Sequence, residues 1–381
     1  MSSAPEPTNS SVPPGTTRIV AGESAKPRRK RTLEISLAVG LVLLIGAGAA
    51  VASTVSRANE TAAPAAVVDT PAAELKLGYF GNITHAPALV GVSRGLVAKN
   101  LGETKLSTQV FNAGAIDATY IGPNPAINSY VKSKGESISI IAGAASGGAQ
   151  LVVKPEITTA ADLKGKKLAT PQLGGTQDVA LRAWLGKQGY QTTTDGGGDV
   201  AINPTENAQT LKLFQGGKLD GAWLPEPWAS RLVLQAGAKV LVDEKDLWEK
   251  GEFITTVLIV NKKFAAEHPD TVKALLKGHV ESVDWLNAAP DAEKSAVLNA
   301  ALKESAGAAL PADVIDRSLK NIVYTVDPLA GTYQKLLQDG VDAGTTQQAD
   351  INGIFDLTAL NSVLSESPAG TKISAQGLGK E

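Results

Sequence analysis

The chain has 381 residues, with 36 Lys and Arg against 38 Asp and Glu, and no cysteine, which excludes disulfides, thiolate chemistry and cysteine-ligated zinc. Its three histidines, His85, His268 and His279, form no HxxH or HExxH pair, so neither a metal site nor a cofactor is expected. Residues 1–57 hold seven basic and three acidic residues, so the remainder carries 29 and 35, a net of −6 with no basic patch for nucleic acid.

Residues 1–32, rich in Pro, Ser, Thr, Gly and Ala and ending in Arg28-Arg29-Lys30-Arg31, read as a disordered cytoplasmic segment. From Ile35 to Val55 the chain is apolar and uncharged. About 20 apolar residues span a bilayer and a signal-peptide core is usually ~7–15, so the length favours an anchor over 33–55. Ala50-Val51-Ala52 keeps a cleaved signal sequence open. The basic cluster stays in the cytoplasm, which sends the rest of the chain outside. Residues 56–73, with Pro64 and Pro71 among alanines, read as a linker.

The body then alternates strands and helices, which implies α/β architecture. Glu74 to Phe80 reads as a first strand and Gly81-Asn82 as a turn. A helix with Pro87 in its first turn runs to about Lys99. Lys105–Phe111, Ile116–Ile121, Ser137–Ile141 and Gln150–Val153 are expected strands, with Ala142–Ala149 a small-residue loop between the last two. After Ile121, Asn124 before Pro125 suits an N-cap and first helical position. Lys166 to Leu185 reads as strand, glycine loop and helix. Pro171 ends the strand, Gly174 and Gly175 leave backbone amides uncovered, Thr176 is the expected N-cap, and Asp178 suits the first turn. Such a helix start is an anion site or only a βα turn. A further helix begins near Pro204, capped by Thr205. Leu219–Leu224 is a strand closed by Pro225-Glu226-Pro227-Trp228, and Phe253–Val260 another. Helices dominate from Pro269 to Leu364, and the tail 365–381 is expected to be loose.

The order of Asp162-Leu163-Lys164-Gly165-Lys166-Lys167, Ala169-Thr170-Pro171-Gln172-Leu173-Gly174-Gly175-Thr176-Gln177-Asp178 and Gly221-Ala222-Trp223-Leu224-Pro225-Glu226-Pro227-Trp228 resembles the solute-binding proteins of sulfonate, nitrate and taurine ABC importers. Asp117 to Pro125 and Ile354-Phe355-Asp356-Leu357-Thr358 fit the same family, and the resemblance covers about residues 74–364. It implies a two-lobed periplasmic-binding-protein-like fold of type II. Lobe one would be 74–155 plus 256–364 and lobe two 156–255, with Gln150–Val153 and Thr255–Val260 as crossing strands. It also implies a permease and its ATPase subunits as partners and a small anion as ligand, held where helix starts at Asn124 and Thr176 converge. Candidate ligand-binding residues are Phe80, Asn82, Pro123, Asn124, Gln172, Gly174, Gly175, Thr176, Gln177, Trp223, Glu226 and Trp228. Trp223 and Trp228 wall the cleft or are ordinary core. Glu226 takes an amino group or ring nitrogen, or simply faces water.

The ligand expectation is an aliphatic sulfonate, with nitrate, bicarbonate, taurine and a pyrimidine or flavin vitamin precursor as rivals. Pyrimidine-precursor synthases resemble the same family, but they rely on a cysteine-rich motif that a chain without cysteine lacks. One departure stands out. Only Asn112 to Ala115 separate the second and third expected strands, whereas parallel neighbours need a crossover of a dozen or more residues. Loss of that crossover helix after Phe111 leaves an inactive homologue as a further alternative.

Overall fold

The computed structural model describes residues 71–110, 116–366 and 370–381. The expected disordered segment, the anchor or signal at 33–55, and the linker up to residue 70 lie outside them. Among the described residues no helix is long and apolar enough to cross a membrane.

In chain order the elements are β1 (Glu74–Tyr79), α1 (Ala86–Ser93), α2 (Leu96–Leu101), β2 (Lys105–Val110), β3 (Ala118–Ile121), α3 (Pro123–Lys132), β4 (Ile138–Gly147) and β5 (Ala149–Val153). Then come β6 (Lys167–Thr170), α4 (Thr176–Lys187), β7 (Ala201–Pro204), α5 (Asn207–Gln215), β8 (Gly221–Pro225), α6 (Trp228–Ala236) and β9 (Lys239–Asp243). The chain continues through β10 (Ile254–Asn261), α7 (Lys262–Glu267), α8 (Pro269–Ala288), α9 (Asp291–Ala306), α10 (Ala312–Lys320) and β11 (Ile322–Tyr324). It ends with α11 (Tyr333–Asp342), β12 (Phe355–Asp356), α12 (Thr358–Ser365) and β13 (Gly379–Lys380).

Two sheets result. One is ordered β13-β12-β4-β10-β3-β1-β2, with β11 pairing β4. The other is ordered β7-β6-β8-β5-β9. Each lies against its own helices around its own apolar cores, which makes two α/β lobes. The chain leaves the first sheet at Gly147 and Gly148, both at positive φ, and returns between β9 and β10. The sheet change therefore precedes the boundary expected at 155, and β5 belongs to the second sheet.

Several expectations need correction. Residues 142–147 are not loop but the buried second half of β4, paired with β10. Their small side chains read as loop because nothing local shows how closely residue 327 packs: a Cβ on Gly143 would strike the Asp327 carbonyl. The helix expected through Lys99 is broken at Gly95, which is left-handed. From residue 370 onward the tail is not loose. Ile373, Ala375 and Leu378 are buried in the first core, and β13 adds an edge strand to β12.

The expected loss of a crossover helix falls on residues 111–115, outside the described residues. The strands beside it are informative. Both β2 and β3 run parallel to β1 and flank it. Leu75 and Leu77 are fully buried on one face of β1. The opposite face of β1 and β2 carries Glu74, Lys76, Lys105, Ser107 and Gln109, with Lys105 3.1 Å from Glu74. A polar sheet face offers no apolar surface for a helix to bury.

Candidate functional site

The cleft between the lobes is built from strand ends. After β1, Phe80, Asn82, Thr84 and His85 face it; after β3, Ile121, Gly122 and Pro125 do. From the second lobe come Pro171, Gln172, Gly175, Thr176 and Gln177, then Glu206, Asn207 and Pro225, with Thr255 and Thr256 at the start of β10. Together they enclose about 260 Å³. This is the place an open α/β sheet offers a ligand, beyond the carboxyl ends of its strands. The lobes touch around it: Trp228 Nε1 donates to Asn82 Oδ1 at 2.9 Å, and Lys187 lies 3.6 Å from Asp339.

The lining is rich in donors and poor in charge. Among the described residues, Glu206 is the only Asp, Glu, Lys or Arg in it. Thr176 and Thr256 are 3% and 1% exposed, and among the described residues neither Oγ1 has a hydrogen-bond partner. A buried hydroxyl without a partner is costly, so the two mark where a polar ligand group would sit. Burial pushes the His85 imidazole down to about 3, so it is neutral at physiological pH. The carboxylate of Glu206 caps α5 by accepting from Ala208 and Gln209 N–H at 3.0 and 3.2 Å. That corrects the expected cap at Thr205, whose hydroxyl donates to Asn203 O.

The loop before α4 is braced from below. Asp178 accepts the Thr170 hydroxyl at 2.8 Å, Gly174 N–H at 3.0 Å and Arg182 Nε at 2.9 Å, all buried. The Gly174 amide is thus occupied, and Gly175 N–H donates to Gln172 O at 3.1 Å, so neither is free as expected. The N-cap is Gly175, so Thr176 is the first helical residue and its hydroxyl stays uncommitted. The N–H groups of Thr176, Gln177 and Asp178 are those a helix start leaves without intrahelical partners. The α3 start differs from expectation. Gly122 is its N-cap, Pro123 is its first residue, and Pro123 and Pro125 have no N–H, so Asn124 alone offers a first-turn amide. The convergence of two amide-rich helix starts reduces to one rich and one poor.

Of the candidate residues, Phe80, Asn82, Gln172, Gly175, Thr176 and Gln177 line the cavity. The others do not. Pro123 and Gly174 sit beside it, and Asn124 is turned into the lobe, donating to Leu336 O at 3.0 Å. Trp223 is fully buried in the second lobe, 6.2 Å from the Trp184 ring, with Nε1 donating to Glu244. Glu226 is fully buried too, accepting from Arg317 Nη1 at 3.0 Å and Asn321 Nδ2 at 2.6 Å, so it is free for neither ligand nor water. Trp228 is half-buried and bonded to Asn82, which it positions. Thr84, His85, Glu206, Thr255 and Thr256 were missed. Thr84 and His85 share the turn after β1 with Asn82, a signal that was available. Thr255 and Thr256 look in sequence like any β-branched strand residues.

The expected crossing strands do not cross, since β5 pairs only within the second sheet and β10 only within the first. Two α/β lobes joined by chain connections at Gly147-Gly148 and between β9 and β10, with a cleft between them, define the two-lobed periplasmic-binding-protein-like architecture. The chain belongs to the NMT1-like family, whose model matches residues 69–301. It is 27% identical over 216 residues to the taurine-binding periplasmic protein of Escherichia coli (strain K12), covering 54% of this chain and 64% of that protein. It is 25% identical over 301 residues to the nitrate/nitrite binding protein NrtA of Nostoc sp. (strain PCC 7120 / SAG 25.82 / UTEX 2576), covering 71% and 66%. The chain thus spans just under two thirds of each relative's length. The alkanesulfonate-binding protein SsuA from Xanthomonas axonopodis pv. citri, in a structure bound to MOPS, shares the fold with a TM-score of 0.60 at 19% identity, covering 73% of this chain and 96% of that one.

Proposed function

We propose that this chain is the extracytoplasmic solute-binding component of an ABC importer, and that it captures an aliphatic sulfonate or similar small anion between its lobes for delivery to the permease. The observation that carries this is the pair of buried, unpartnered hydroxyls, Thr176 and Thr256, in a cavity that no Lys or Arg among the described residues lines. With the first-turn amides of α4, they supply donors to anionic oxygens, and the helix dipole favours the charge. Phe80, Ile121, Pro125, Pro171 and Pro225 add apolar wall, which suits an alkyl chain better than bare nitrate or bicarbonate. Lobe closure buries the ligand, and no bond is broken. The names of the relatives support this class of ligand, and residues 33–55 would hold the binding body at the outer face of the membrane as anchor or direct it there as signal.

One observation favours an amine-bearing sulfonate such as taurine: Glu206, the only charged side chain in the lining among the described residues, is exposed at the rim, where it can meet an ammonium. Thermal unfolding against methanesulfonate, ethanesulfonate, taurine, nitrate, bicarbonate and thiamine precursors tests both readings. A ligand of the native state raises the midpoint by mass action. The alkanesulfonates are expected to raise it, taurine more if Glu206 contributes. A response to nitrate or bicarbonate alone would refute the sulfonate assignment, and no response to any would refute capture.

A further inference from the structure

Histidines buried in this protein are of two kinds. His279 is satisfied by the protein at both ring nitrogens, with Tyr120 Oη at 2.9 Å from Nδ1 and Gly143 O at 2.8 Å from Nε2. His85 is satisfied at one. Its Nδ1 accepts Phe80 N–H at 3.4 Å, and its ring stands edge-on to Phe80 with centroids 5.4 Å apart. A ring nitrogen that accepts carries no proton, so the proton of the neutral ring sits on Nε2. Among the described residues no protein group takes that Nε2–H. Yet His85 is only 5% exposed and lines the interlobe cavity.

We infer that His85 is a specificity-determining ligand contact, presenting a neutral Nε2–H donor to an acceptor oxygen of the bound anion. The inference rests on the reading of this cavity as an anion site. The backbone bond at Nδ1 locks the tautomer, so the ring can give a hydrogen bond toward the ligand but cannot receive one. Head groups made only of acceptors, such as a sulfonate, match it. A head group with its own O–H, such as bicarbonate, must turn that hydrogen elsewhere. Selection of this kind is strong because a mismatched head group leaves a buried donor unpaired.

With three histidines in the chain, long-range proton–nitrogen spectra of the imidazoles of the full-length protein are tractable. Titration with ethanesulfonate should move the His85 Nε2 and Hε2 resonances while the ring keeps its Nε2–H tautomer, and should leave His279 unmoved. His85→Asn, which can replace only the Nδ1 position, should bind ethanesulfonate about tenfold or more weakly. His85→Gln, whose amide nitrogen reaches the Nε2 position, should recover part of that loss. Should both variants fail to fold, the spectra of the unaltered protein decide alone. Midpoint elevation by ethanesulfonate with His85 resonances unmoved, or with unchanged affinity in His85→Asn, overturns the inference and leaves the capture reading intact. If no anion of the panel shifts the unaltered protein, the capture reading fails and this inference with it.

Discussion

Asp178 and Arg182 lie one turn apart on α4, their side chains 0% and 1% exposed, 2.9 Å from each other. Removing one member of such a pair leaves the other charge buried and uncompensated, which costs about 3–5 kcal/mol. For a body of this size a kilocalorie moves the midpoint by about 2–4 °C, so Asp178→Ala should lower it by roughly 6–20 °C. The double variant Asp178→Ala/Arg182→Met replaces the pair with apolar groups and should recover most of the stability. It should not recover ligand affinity, because Gly174 N–H and the Thr170 hydroxyl still lack the carboxylate that braces the loop before α4. The five tryptophans, Trp184, Trp223, Trp228, Trp248 and Trp285, all lie in the two lobes, so fluorescence-detected thermal unfolding with and without ethanesulfonate reads both quantities. A single variant within about 1 kcal/mol of the parent, as for an exposed pair, would refute the reasoning about burial. A double variant that regains affinity along with stability would refute the reasoning about the loop.

Glu244 accepts from Trp223 Nε1 at 2.8 Å, and burial pushes its carboxyl up from 4.5 to about 8. Between those values the folded state holds a proton the unfolded chain has lost, so stability falls as pH rises through that window and is greatest below it. Glu244→Gln should flatten this slope in urea titrations at pH 5 to 8, and an unchanged slope would assign it to another group. At Gly122 an added Cβ would meet Thr176 Oγ1 across the cleft; Gly122→Ala should weaken binding on the order of tenfold with little change in the ligand-free midpoint, measured by calorimetry. Arg317 bonds Glu226, Ser230 and Gln150 at 3.0, 2.8 and 2.7 Å. Arg317→Ala strands the buried Glu226 carboxylate and should cost about 3 kcal/mol in urea unfolding, a loss below about 1 kcal/mol refuting its role as a tie. Deleting residues 370–381 removes the buried Ile373, Ala375 and Leu378 from the first core and should cost roughly 3–5 kcal/mol; an unchanged midpoint would show the tail to be dispensable.

What the sequence determined by itself was local. Pro171, the glycines at 174 and 175 and the apolar face of α4 mark a strand, a turn and a helix because each signal acts over a few residues. The alternation of Leu75 and Leu77 with Glu74 and Lys76 likewise marks β1, and the motif order from Asp162 to Trp228 carried the fold. The fate of individual side chains was decided elsewhere. Glu226 looked available because its partner Arg317 lies 91 residues away in sequence. Trp228 meets Asn82 across 146 residues. Trp223 is core because β8 is a central strand with Trp184 beneath it. Thr256 became a binding candidate only when β10 brought its first turn of strand to the cleft with no protein partner for its hydroxyl. Backbone geometry is written in near neighbours, whereas burial and hydrogen-bond satisfaction depend on groups that only folding brings together.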